Sequence, residues 1–159
     1  YLNLRSAEEL SATIEAYSYP DEFGKCDGTA EPAPGVQVGQ QERGVFGLVY
    51  RTKKGTDTDP EKGYKIHVIY GATASPSEKA YTTVSDSPEA ITFSWEVNTT
   101  PVPVKNLKPT SIIIIDSTRV STENMKKITD ALYGTDEAEP KLLMPDEIAA
   151  LAGTGVVGP

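Results

Sequence analysis

The stretch TSIIIIDSTRVSTENMKKITDALYG, residues 110–134, limits what this chain can fold into more than any other segment. Four consecutive isoleucines are β-branched and stiff at χ1, which suits a strand and disfavours a helix. Successive strand residues point to opposite sides, so Ile112, Ile113, Ile114 and Ile115 put apolar groups on both faces, and the strand is expected to be covered on both. The following segment supplies one cover. Ser121 is a good N-cap, Val120 and Met125 have the spacing of a hydrophobic staple, Met125, Ile128 and Leu132 form one apolar stripe, and Gly134 is a stop. A helix is therefore expected near 121–133. A second, shorter one is expected near 145–152: Pro145 opens it, Asp146 and Glu147 occupy its first turn, Ile148 and Leu151 share a stripe, and Gly153 ends it.

Upstream the pattern is that of strands. Residues 8–17, EELSATIEAY, alternate Leu10, Ala12, Ile14 and Ala16 against Glu9, Ser11, Thr13, Glu15 and Tyr17, the period of a half-buried strand. Residues 89–98, EAITFSWEVN, alternate Ile91, Phe93, Trp95 and Val97 against Thr92, Ser94, Glu96 and Asn98. VFGLVYRT (45–52) and GYKIHVIYG (63–71) read as an antiparallel pair, with the polar 53–62 as a long hairpin loop. Residues 73–88 read as a loop or short irregular element, with a turn of helix near Ser77 to Ala80. The Pro101 and Pro103 segment cannot enter a central ladder and is an edge or a crossing. Residues 18–44, rich in Pro, Gly and acids, are longer than an ordinary connection and read as an interaction loop, with Tyr19, Phe23 and Val36 available to bury against a neighbour. The expected class is mainly β (α+β).

At 159 residues the chain has room for one domain with a real core. Its net charge of -8 argues against gripping a nucleic-acid backbone, which takes clustered Lys and Arg. The lone Cys26 rules out an intrachain disulfide and a cysteine-based zinc cage. No apolar run approaches the ~18 residues of a spanning helix.

An apolar strand ending in Asp116 also occurs beside phosphate-binding loops, where the carboxylate helps hold magnesium. That chemistry needs G-x-x-x-x-G-K-[ST], and Gly24-Lys25 is followed by Cys26 without the upstream glycine. A D-x-D phosphatase fails because Thr118 stands two residues on. Asp116 therefore reads as a strand-end carboxylate bonded to the turn at Ser117 and Thr118. His67, the single histidine, lies mid-strand on the face of Lys65 and Ile69 and reads as a sheet-surface residue. The acids around Asp57 and Asp59 lack the glycine and closing glutamate of a calcium loop. Neither catalytic, metal nor cofactor-binding residues are expected, and the chain does not read as an enzyme. The polar strand faces, Glu9, Ser11, Thr13, Glu15 and Thr92, Ser94, Glu96, carry hydroxyls and carboxylates with no Lys or Arg. Such a surface reads either as one that ignores or repels a passing polyanion or as the simply solvated outer face of a sheet.

Taken in order, YLNLRSAEEL, TIEAYSYPDEF, CDGTAE, GVQVGQQ, GYKIHVIYGATASPSE, SDSPEAITFSWE, KPTSIIIIDST and ALYGTDEAEPKLLMPDE resemble the major tail proteins, the tail tube subunits of long-tailed bacteriophages and prophages. The resemblance spans nearly the whole chain through the number and order of its segments. It implies an antiparallel β-sandwich or barrel-like single domain over 1–159 with a flanking helix, lacking an N-terminal segment. It further implies homo-hexameric rings that stack into a hollow virion tail, assembled in the bacterial host cytoplasm. The implied partners are the chain itself, other tail proteins such as the tape measure and tail terminator, and DNA in transient, non-binding passage, with no membrane. On this expectation Glu9, Ser11, Thr13, Glu15, Thr92, Ser94 and Glu96 line the lumen, and Tyr19, Phe23, Val36, Asp57 and Asp59 make contacts between subunits. The alternative is an immunoglobulin-like or other β-sandwich virion surface binding module.

Overall fold

The structure, a computed structural model, describes residues 10–56, 59–76 and 92–153 and is mainly antiparallel β. In chain order come β1 (Ser11–Ala16), a 3-10 turn (Asp21–Phe23), α1 (Gly24–Asp27), β2 (Ala30–Ala33), β3 (Val36–Val38), β4 (Phe46–Thr56) and β5 (Asp59–Pro76). They are followed by β6 (Phe93–Thr99), β7 (Ile112–Asp116), α2 (Thr122–Tyr133) and α3 (Pro145–Ala152). The chain forms two compact units, the boundaries falling at Phe46/Gly47, Tyr70/Gly71 and Thr100/Pro101, so β5 supplies strand to both.

The helical unit is built on β7. It pairs antiparallel with β5, Ile113 opposite Val68 and Ile115 opposite Ile66, while β4 is bonded to β5 as well. Paired residues share a face, so Ile66, Val68, Tyr70 and Ile115 form a core with Met125, Ile128 and Leu132 of α2, Ile148 of α3 and Leu143. Both helices follow their sequence signals. The Ser121 hydroxyl accepts from the Asn124 N–H at 3.3 Å, and Met125, Ile128 and Leu132 are the buried stripe of α2. In α3 the Glu147 carboxylate accepts from the Met144 N–H at 2.8 Å, with Pro145 at the first turn.

The expectation of two covered faces on β7 is corrected. Ile113 and Ile115 pack under the helices, but on the opposite face Ile114 is 53% exposed beside His67. A run of isoleucines guarantees apolar groups on both sides, and only packing decides which side is closed. The edge of β7 away from β5 pairs with no described strand. It is blunted locally: the Thr110 hydroxyl donates to the Ile112 carbonyl at 2.9 Å and accepts from its N–H at 3.3 Å.

In the second unit β6 lies between β1 and the end of β5, with Thr13 opposite Glu96, Ile14 opposite Trp95 and Ser75 opposite Glu96. One face buries Trp95, Val97, Ala72 and Ala74. Trp95 sits in an edge-to-face cluster with Tyr19 and Phe23, each with ring centroids 5.2 Å away. Gly71, at φ 60°, turns β5 where a side chain would strike the Thr100 carbonyl, an added Cβ lying 2.2 Å from its oxygen.

Three further expectations change. The polar 53–62 is not a long loop, because β4 runs to Thr56 and β5 starts at Asp59. Ladder bonds are made by backbone groups, so these ends extend the ladder without an apolar pattern in the sequence. Residues 18–44 contain the 3-10 turn, α1 and a β2/β3 hairpin closed by Pro34 and Gly35, the latter at φ 78° as a type II turn requires. Finally, residues 73–76, expected as loop, continue β5; the turn of helix expected near Ser77 to Ala80 lies outside the described residues.

Candidate functional site

The two strand faces singled out from the sequence are brought into register. Antiparallel pairing sets Ser11 opposite Asn98, Thr13 opposite Glu96 and Glu15 opposite Ser94, so six polar side chains share one face, joined by Thr73 and Ser75 of β5. Ser11, Thr13, Glu15, Glu96 and Asn98 are exposed, and Thr92, also exposed, precedes β6. Neither strand contributes Lys or Arg. Among the described residues a cation from outside the strands meets this face: Arg43 donates from Nη1 to the Ser75 hydroxyl at 3.1 Å. Glu9 lies outside the described residues.

The face owes its rigidity to what lies behind it. The indole N–H of Trp95 donates to the Asp27 carboxylate at 2.7 Å in a buried bond. That bond, absent from any sequence pattern, ties α1 to the back of β6. The Thr99 hydroxyl donates to the Leu10 carbonyl at 2.9 Å and accepts from its N–H at 3.1 Å, fixing the start of β1.

The charge is segregated in the same way. Residues 9–46 and 71–100 hold eleven Asp and Glu against three Lys and Arg, whereas the rest of the chain holds twelve of each. The entire net charge of -8 therefore belongs to the unit that carries the polar face. Counting along the sequence could not find this, because each unit is assembled from separated segments.

The residues expected at subunit contacts are distributed unevenly. Tyr19 and Phe23 are half-buried in the ring cluster on Trp95, so much of their surface is spent inside their own unit. Val36, 51% exposed, stands on β3 in a hairpin whose residues are exposed throughout. Asp59 opens β5, and Asp57 lies outside the described residues.

Asp116 is held by its neighbours. Its carboxylate accepts from Lys54 Nζ at 2.7 Å, from the Thr118 hydroxyl at 2.7 Å and from the Thr118 N–H at 3.0 Å. The lysine bond, then the threonine bonds, hold its pKa well below the ordinary carboxylate range. Ser117 closes the same turn, its hydroxyl accepting from the Tyr64 N–H at 2.9 Å. His67 is half-buried, with Nε2 2.9 Å from the Thr52 hydroxyl and its ring stacked on Tyr50 at 4.6 Å. Among the described residues no three His, Cys, Asp or Glu side chains are grouped to hold a metal ion, and no helix is long and apolar enough to cross a membrane. A cleft of about 400 Å³ lies between β7 and α3, bordered by Arg119. No family model, curated protein or solved structure matches the chain.

Proposed function

We propose that this chain is a structural virion protein, a tail tube subunit of a long-tailed bacteriophage or prophage. Its β-sandwich or barrel-like fold assembles into hexameric rings, and the rings stack into the conduit for DNA. The observation that carries this reading is the face of β1 and β6. Ser11, Thr13, Glu15, Ser94, Glu96 and Asn98 stand in register on the unit that holds the whole net charge. DNA carries a phosphate charge about every 1.7 Å of axis, and each fixed cation on a wall would add an attraction to be broken as the duplex slides. A wall of hydroxyls and carboxylates offers none. Arg43, at the side of this face, is engaged with Ser75. The resembling sequence segments support the same reading, and the tape measure and tail terminator are the partners it implies.

Negative-stain electron microscopy of the purified chain tests it. Rings or tubes are the expected result, and a monomer at every concentration would contradict it.

A further inference from the structure

Two surface features complement each other. The first is the cleft between β7 and α3, about 400 Å³ and lined by Ile113, Val120, Ile148 and Ala149, with Arg119 and Asp116 at its edge, the Asp116 carboxylate already taken by Lys54. Among the described residues the Arg119 guanidinium has no ion-pair partner, so the cleft combines an apolar floor with a free cation. The second is the β2/β3 hairpin. Its side chains are exposed throughout, Val36 at 51% and Val38 at 43%, and it carries Glu31, whose Oε1 accepts from the Gly35 N–H at 2.7 Å and stiffens the turn. Valines left in water on a short hairpin are an unused apolar surface, and a carboxylate beside them complements the free guanidinium.

We propose that the cleft between β7 and α3 receives the β2/β3 hairpin of a second copy of this chain, Val36 and Val38 on its apolar floor and Glu31 against Arg119. The inference rests on the self-assembling reading and names the surfaces it uses. Side-chain packing carries the contact, because the Thr110 hydroxyl already occupies the Ile112 backbone groups that strand addition at this edge would need. Knob and cleft are different patches of one chain, so the contact is heterologous. It propagates from copy to copy, giving a ring if the rotation closes and a filament if it does not.

Charge reversal in the full chain, in a Cys26→Ser background, tests the contact by sedimentation velocity. Arg119→Glu and Glu31→Arg should each raise the concentration needed for assembly roughly tenfold or more, and the two together should return it toward the parent value. Both positions are solvent-facing; Glu31→Arg also removes the bond to the Gly35 N–H, and recovery in the double variant separates the charge pair from that loss. In mixtures of single-cysteine proteins, Ala149→Cys should cross-link to Val38→Cys on another chain. Reversals without effect, a double variant no better than the singles, or no cross-link between Ala149→Cys and Val38→Cys would overturn the proposal. A parent chain that never assembles refutes the self-assembling reading with it, whereas assembly that survives Arg119→Glu refutes the contact alone.

Discussion

The three donors on Asp116 set a pH signature. Its folded pKa is depressed, so the stabilisation it contributes is present above the ordinary carboxylate value of about 4 and is lost as pH falls below it toward the folded value. The difference in melting temperature between the parent chain and Asp116→Asn should hold constant at neutral pH and shrink below about pH 4 in calorimetry. Tyr70 has the opposite sign. Burial, then the Glu147 charge, pushes its hydroxyl up to about 12, and that hydroxyl donates to the Leu143 carbonyl at 2.8 Å. Its contribution is intact below the unfolded value of about 10 and disappears as pH rises toward the folded one, a loss that Tyr70→Phe should not show. Trp95→Phe removes the donor to Asp27 and leaves a buried carboxylate short of a partner, a cost of about 2–3 kcal/mol in urea unfolding.

Helices and strands differ in how far the chain announces them. α2 and α3 could be read because their signals are local: a Ser121 cap, a staple, an apolar stripe, Pro145 and two stop glycines lie within a few residues of the backbone groups they serve. Ser121→Ala should accordingly destabilise the chain by about 1 kcal/mol, measurable by thermal melting. β1, β6 and β7 could be read from period and β-branching. The ends of β4 and β5 could not, since backbone ladder bonds need no apolar residue, and the β2/β3 hairpin was hidden because its pairing is short and its side chains face water. The run of isoleucines misled in one respect, for Ile114 shows that apolar character on a face does not close it. Of the candidate face, the residues could be read from alternation. The register that joins Thr13 to Glu96, the Asp27 bond behind it and the approach of Arg43 come from long-range pairing, which no local pattern encodes.

On the proposed reading, one acidic unit of the molecule serves one task. If the β1/β6 face lines a bore, Glu15→Lys with Glu96→Lys should leave assembly intact and convert a surface indifferent to DNA into one that retains it. The retention should be measured by filter binding and fall steeply with added salt, as phosphate contacts do. The most direct measurement is a cryo-electron microscopy reconstruction of the assembled chain. The account predicts Glu15 and Glu96 facing the central channel; finding both on the outer wall would contradict it.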